Sequence, residues 1–374
     1  MNTHTRFFAL LRSGLWDTPI DTQLFSDKQT DWEAILRIAS EQAVIGVTFD
    51  GLEKLSADLH PPRPLFMKWV SMVLQIEKAN SLLNRQLREI IHLYNTKGVN
   101  NPLLLKGQGI ARLYIHPEHR QCGDIDLFIP DQYKKAKELI LSLNLKTFPE
   151  SDKHLGFEWN GIEVENHRKI ARFYSPFNNK KLTSFIKSWQ DSFTQNHYLQ
   201  DDTIVNIPPP GFNAVYLLIH AFVHLVQEGI GLRQICDWTK VLAVHADEID
   251  PRRFVKELHL LKMEKIACAV GYIGVNYLGL PADCFPLPLD DDATKRNGEY
   301  LLNDILKGGN FGVHHQEVKN RPKVQNWDRK IYSYKIILNR SKQIARFSSS
   351  EAFWYPLWRI KHFADKISQG RLWQ

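Results

Sequence analysis

Gly123-Asp124-Ile125-Asp126-Leu127-Phe128-Ile129 sets two carboxylates two residues apart in an otherwise apolar run. The run reads as a strand. Successive side chains of a strand alternate faces, so Asp124 and Asp126 share one face and Ile125, Leu127 and Ile129 the other. Like charges that close repel, and a strand gains nothing from them. A divalent cation between them would remove the repulsion, because Mg²⁺ takes hard oxygen ligands and binds through one or two carboxylates together with substrate phosphates. The pair is a candidate metal site, with a solvated strand face as the plainer alternative. Its flanks decide between the two.

Upstream, Pro102-Leu103-Leu104-Leu105 reads as a short buried strand that ends in Lys106-Gly107-Gln108-Gly109 and opens a helix carrying Ile110, Leu113 and Tyr114. A strand, a glycine turn and a helix start can form an anion site, since glycine lets the backbone approach and free N–H groups face a phosphate. Lys106 could add a point charge there. A plain tight turn remains the alternative, and the spacing fits neither a Walker loop nor a dinucleotide fingerprint.

Downstream, Asp131 is expected to cap a helix through Leu143. A hairpin follows, because 154–159 and 162–167 flank Asn160-Gly161, the dipeptide most favoured in a two-residue turn. In that register Trp159 faces Ile162, Glu158 faces Glu163, Phe157 faces Val164 and Gly156 faces Glu165. Phe157, Trp159, Ile162 and Val164 then form a core face. His154, Gly156, Glu158, Glu163, Glu165 and His167 form the other. Three carboxylates and two imidazoles opposite a glycine are poor packing material; a solvated sheet face would also account for them.

The wider chain frames these motifs. Its 374 residues suffice for two or three domains, and 43% hydrophobic with 24% charged residues is ordinary for a soluble globular protein. The net charge of +7 permits an anionic partner without demanding one. The excess is local: Lys319 to Gln374 carry 13 Lys plus Arg against 3 Asp plus Glu. That segment reads as a solvated surface, with a nucleic-acid contact as the sharper alternative. Cys122, Cys236, Cys268 and Cys284 form no Cys-x-x-Cys, which argues against structural zinc and disulfides and for a reducing compartment. No stretch reads as a signal peptide or membrane span, so a cytoplasmic protein without a membrane partner is expected.

Residues 1–100 read as helical, with Ile76, Leu83, Leu87, Ile90 and Ile91 at helical spacing and Lys97-Gly98 as the stop. Pro208-Pro209-Pro210-Gly211 marks a boundary, beyond which 212–228, 232–246 and 251–278 are helical again. Asp290-Asp291-Asp292 reads as a solvated linker. His220 and His224 have the spacing of a zinc pair, but Ala221 stands where a zinc protease carries its glutamate. A helix packed on the strands, with both histidines at the interface, is the plainer reading. Arg233 and Asp237, four apart, form an intrahelical ion pair or face the cleft. His314-His315 and the aromatics Phe353, Trp354, Tyr355, Trp358 and Trp373 are expected to pack a helix.

Taken together, Leu105-Lys106-Gly107, Leu113-Tyr114, Arg120, Asp124-Ile125-Asp126-Leu127 and Val164-Glu165-Asn166-His167 stand in an order that resembles the nucleotidyltransferase superfamily containing polymerase beta. Within it the chain looks like a member of the bacterial branch known as the uncharacterised nucleotidyltransferase family. His220, His224, the run from Gly231 to Trp238, and the start from Phe8 to Trp16 match as well, so the likeness spans most of residues 5–245.

The resemblance implies an α+β fold. A small mixed β-sheet catalytic core (101–207) would be flanked by a helical N-terminal segment (1–100) and a helical C-terminal domain (208–374). It implies a Mg²⁺- or Mn²⁺-dependent transfer of a nucleoside monophosphate from a nucleoside triphosphate to an acceptor hydroxyl, releasing pyrophosphate. Asp124, Asp126 and Glu165 would be catalytic and hold the metal. Lys106, Gly107, Gln108, Gly109 and Arg120 would bind the nucleotide. Glu163, which could replace Glu165, joins His154, His167, His220, His224, Arg233 and Asp237 as candidates for substrate contact. Arg120 as an ion-pair partner of Asp124 or Asp126 stays open. One departure is plain: the superfamily favours Gly or Ser directly after the first glycine, whereas this chain has Gln108 and only then Gly109. The acceptor could be a sugar or other small molecule, a protein or an RNA. The rival readings are an inactive nucleotide- or RNA-binding protein of the same fold, and a toxin acting on tRNA or protein.

Overall fold

The computed structural model describes residues 3–26, 29–194, 197–200, 203–324 and 327–368. Three helices, α1 (Thr3–Trp16), α2 (Trp32–Glu41) and α3 (Ile45–Leu52), precede a long α4 (Arg63–Thr96). Then come β1 (Leu103–Leu105), a five-residue α5 (Gly107–Ala111), β2 (Ile125–Phe128), α6 (Tyr133–Ser142) and the hairpin β3 (His154–Trp159) and β4 (Ile162–His167). After α7 (Pro176–Lys187), β5 (His197–Gln200) and β6 (Thr203–Asn206) complete the sheet. The rest is helical: α8 (Pro210–Gln227), α9 (Leu232–Val244), α10 (Pro251–Leu261), α11 (Glu264–Tyr277), α12 (Asp292–Gly308), α13 (Gln316–Lys319), α14 (Trp327–Ile344) and α15 (Ser349–Ser368). The fold is α+β, as the sequence leads one to expect.

The six strands lie in the order β3-β4-β2-β1-β6-β5. β2 runs parallel to β4 and antiparallel to β1, and β1 runs parallel to β6. The expected hairpin register holds in full, from Trp159 opposite Ile162 to His154 opposite His167. Its turn residues Asn160 and Gly161 both have positive φ, 48° and 84°, which a tight two-residue turn requires.

Period-two alternation divides the sheet into two faces. Leu104, Ile125, Leu127, Leu155, Phe157, Val164 and Val205 pack against Leu83, Leu87, Ile90, Ile91 and Tyr94 of α4 and Ala136 and Ile140 of α6. Each large side chain buried there contributes roughly 1.5–3 kcal/mol. On the opposite face Leu103, Leu105 and Phe128 join a larger core built from α1–α3 and the C-terminal helices. α4 serves both: Trp69 and Val73 lie in the larger core, its second half in the sheet's. At about 1.5 Å per residue its 34 residues span roughly 51 Å, long enough for the two tasks.

Three local expectations change. The helix expected over 251–278 is two, because Lys262 takes a left-handed conformation (φ 57°, ψ 43°) that ends α10. The helix after Asp131 is capped at Gln132, without a side-chain bond. Asp291 is an N-cap rather than a linker residue: its carboxylate accepts from the Ala293 and Thr294 N–H groups at the start of α12. The aromatic expectation holds for Tyr355 and Trp358 but not for Phe353, which is largely exposed. Tyr355 and Trp358 pack on Tyr174, with ring centroids 4.7 and 5.2 Å away, and buried Glu351 accepts from the Tyr174 and Ser175 N–H groups and from Asn178. His315 packs on α12, 3.5 Å from Asp304. Trp373 lies outside the described residues. Among those residues no helix is long and apolar enough to cross a membrane.

α1 and α3 cross closely because each offers the other a glycine. A Cβ on Gly51 would stand 2.0 Å from the Leu10 carbonyl oxygen, and one on Gly14 would stand 1.8 Å from that of Val47. Backbone cannot rotate aside as a side chain does. Gly51→Ala should therefore destabilise the fold by about 2–3 kcal/mol, read as a lower urea midpoint; an unchanged midpoint would contradict this crossing.

Candidate active site

β1 ends where the chain must reverse. Lys106 adopts φ 55°, ψ −142°, a region that only glycine occupies freely, and Gly107 follows with φ 47°. Strain of this kind costs of the order of 1–3 kcal/mol and persists where the surroundings impose it. Here the turn carries the Lys106 Nζ to within 2.8 Å of Asp126 Oδ2. Lys106 and Gly107 line a cavity between the sheet and helices α8 and α9. Gln108 and Gly109 do not line it. Gln108 is buried with neither amide atom hydrogen-bonded, and Gly109 lies against Leu104 and Ile207. The polar start of this turn is confined to Lys106 and Gly107.

Asp124 precedes β2 and Asp126 lies within it, on the face turned to α8 and α9. The parallel register sets Asp126 beside Glu165 of β4. Asp124, Asp126 and Glu165 each offer an oxygen within 4.8 Å of the others'. Glu163 is exposed and lies outside the cavity, so Glu165 is the third carboxylate of this cluster. Gly156, opposite it on the neighbouring strand, is covered by the Phe148 side chain.

Side chains around the cluster already answer part of this charge. His167 Nε2 donates to Asp126 Oδ1 at 2.8 Å and lies 3.0 Å from Glu165 Oε2, while His154 Nδ1 lies 3.2 Å from the same oxygen. Burial works against ionisation of Asp126, but the Lys106 ammonium and the His167 hydrogen bond outweigh it and hold its pKa far below the usual range. Glu165 likewise is lowered, burial being overcome by His167. Asp124 is the exception. The charge of Asp126, with burial second, raises its pKa, and among the described residues no cation pairs with it.

The helical wall brings the remaining candidates in. Tyr216, His220 and His224 line the cavity from α8, and Arg233, Gln234 and Asp237 from α9, with Lys153 and Phe311 at its edges. The imidazoles of His220 and His224 stand edge to face at 4.5 Å, and His224 is 2.9 Å from Glu228. Burial, aided by the Lys106 charge, holds His220 well below its ordinary pKa. Arg120 does not pair with Asp124 or Asp126. Its guanidinium grips Asp237 through Nε–Oδ1 at 2.7 Å and Nη2–Oδ2 at 2.6 Å, and the Tyr114 hydroxyl donates to Oδ1 at 2.8 Å. Asp237 is thus unavailable to Arg233, whose Nη1 donates to the Gln121 carbonyl at 2.7 Å. Sequence reasoning did not single out Lys153, Tyr216 or Phe311. Tyr216 stands four residues before His220, a helical spacing that could have found it; Phe311 carries no local signal.

The family described as uncharacterised nucleotidyltransferase matches residues 28–279, about two thirds of the chain. The chain belongs to that family. It is a nucleotidyltransferase, a transferase of phosphorus-containing groups. No curated protein and no solved structure matches it.

The nucleotidyltransferase holds its site together with buried ion pairs one layer out. Arg120 follows a short turn (117–119) tied to α4, where Asn80 Nδ2 donates to the Glu118 and Arg120 carbonyls at 2.6 and 2.8 Å. His119 in that turn lies 2.5 Å from Asp50 and 3.0 Å from Glu77. Burial opposes its charge, but these carboxylates outweigh it and push its pKa up to about 9. A histidine raised on folding stabilises fully below its unfolded pKa near 6.5 and loses that contribution as pH climbs through the folded value. The urea midpoint should fall between about pH 6.5 and 9.5, and a His119→Gln variant should lose that part of the slope; identical profiles would exclude this role. Arg120→Met should cost about 3–5 kcal/mol by leaving the Asp237 charge buried alone, and adding Asp237→Leu should recover much of it. Calorimetric unfolding of the single and double variants tests the pair.

Proposed function

We propose that this nucleotidyltransferase moves a nucleoside monophosphate from a nucleoside triphosphate to an acceptor hydroxyl, releasing pyrophosphate, with Mg²⁺ or Mn²⁺ held by Asp124, Asp126 and Glu165. The observation that carries this is the convergence of three carboxylate oxygens within 4.8 Å of one another on a rigid sheet. The donor set fits: hard, anionic and all-oxygen, with one member, Asp124, in no ion pair among the described residues. A bound divalent ion supplies charge neutralisation and orientation to the transferring phosphoryl group.

The chain's own residues do the rest. Lys106 and Gly107 flank the carboxylates at the end of β1, where a phosphate would meet both the ammonium and the exposed backbone of the turn. Glu165 is placed beside Asp126 to orient the acceptor hydroxyl and take its proton as the phosphorus–oxygen bond forms. His154, His167, His220 and His224 form the polar lining left for the acceptor. Arg120 acts through Asp237 and fixes α9; Gln108 and Gly109 serve the packing of the turn. A second reading, nucleotide binding without turnover, draws on one feature: Lys106 and His167 already occupy both oxygens of Asp126.

Turnover separates the two readings. Incubation with each labelled nucleotide, a cell lysate and Mg²⁺ or Mn²⁺ should transfer label from one nucleotide to an acceptor. Asp124→Asn is the cleanest variant, because it removes a ligand without orphaning a partner; labelling should fall at least about a hundredfold with the fold intact. Asp126→Asn should also abolish labelling, at a cost in stability, since it strips Lys106 of its counter-charge. Labelling that survives in both would sink the assignment.

A further inference from the structure

Most charges of the cavity pair off, and among the described residues three do not. Arg120 is taken by Asp237, Lys106 by Asp126, and Glu165 stands against His154 and His167. Asp124 and Arg233 are left, each without an opposite charge at ion-pair distance among the described residues. Lys153 is the third, half-buried as those two are.

Arg233 is poorly placed for a structural arginine. It is the second residue of the 13-residue α9, whose first turn holds no acidic side chain. There the positive end of the helix dipole opposes its charge. The Arg120 guanidinium adds a like charge nearby, and burial adds a desolvation penalty. Against these three costs the described residues offer one hydrogen bond, from Nη1 to the Gln121 carbonyl, and the attraction of the Asp237 and Asp124 charges short of ion-pair contact. That carbonyl is itself fixed, because the Gln121 side chain accepts from the Ile45 N–H at 3.1 Å. Among the described residues the rest of the planar fork has no hydrogen-bond partner. An anion entering the cavity would repay the arrangement, and a guanidinium fork suits phosphate oxygens.

Asp124 makes the opposite demand, pressed by the charges of Asp126 and Glu165. One kind of ligand satisfies both: a polyphosphate that carries a divalent cation. We propose that Arg233 receives the polyphosphate of the nucleotide, opposite Asp124, in the role that the sequence pattern pointed to Arg120 to fill. This rests on the transfer reading above, since it takes the carboxylate cluster to be the cation side of the same site.

Calorimetric titration of the full chain tests it without knowing the base or the acceptor. The probes are Mn²⁺ alone, Mn²⁺ with inorganic tripolyphosphate, and Mn²⁺ with orthophosphate. The parent should bind tripolyphosphate more tightly than orthophosphate. Arg233→Gln should weaken tripolyphosphate roughly 10- to 100-fold, as loss of charge-assisted hydrogen bonds does, and leave Mn²⁺ binding alone within about twofold. Arg233→Lys should restore part of the loss, as a point charge without the fork. The thermal midpoint of Arg233→Gln should be unchanged or raised; a drop of several degrees would make the residue structural and overturn the proposal. Tripolyphosphate binding equal to the parent's would overturn it with the metal site intact. So would an equal loss for orthophosphate, which would assign Arg233 to a phosphorylated acceptor. A parent that binds neither Mn²⁺ nor tripolyphosphate would overturn the transfer reading and this proposal together.

Discussion

Parallel pairing of β2 with β4 forces Asp126 beside Glu165, with Asp124 two residues back on the same face. Three carboxylates within 4.8 Å of one another, partly shut off from water, repel strongly, and the surrounding structure answers that repulsion. Lys106 is driven into a backbone conformation that lysine seldom adopts so that its ammonium reaches Asp126. His167, two residues along β4 from Glu165, serves both Asp126 and Glu165 from a single nitrogen. Compensation stops short at Asp124.

That shortfall is where stability and function diverge. A chain selected only for stability would replace Asp124, relax Lys106 and pair Arg233. Instead the strain, the unpaired carboxylate and the unpaired guanidinium all lie along one cavity. Local rules broken together in one place are the mark of a functional site. The buried amide of Gln108, with neither atom hydrogen-bonded, is a further break in the same turn, and the structure offers no physical account of it.

The helices hold this arrangement rigid. α4 ties the sheet to the larger core, and Asn80 on it fixes the carbonyls that lead into Arg120. Arg120 and Tyr114 then lock Asp237, and with it the angle at which α9 presents Arg233. From the far end of the chain, Glu351 of α15 caps backbone at 174–175, just beyond β4. The basic C-terminal segment is partly structural in the same sense, since Arg340 is buried against Asp304 and the Leu225 carbonyl.

By itself the sequence determined what short-range geometry controls. Period-two alternation put Asp124 and Asp126 on one face, and Asn160-Gly161 imposed the hairpin register that aligned Glu165 with Gly156, because a two-residue turn leaves no slack. Only the tertiary structure decided which carboxylate joins the cluster and which arginine is taken up by Asp237. Glu163 and Glu165 share a face in sequence, but pairing with β2 leaves Glu165 half-buried in the cavity and Glu163 at the surface. Arg120 and Asp237 are 117 residues apart, and no periodicity relates them. Their union depends on how α8 and α9 dock on the sheet, and that docking leaves Arg233 lining the cavity. The parallel contact of β1 with β6 and the shared core of the first and last helices are decided in the same way, by packing between distant segments rather than by any local pattern.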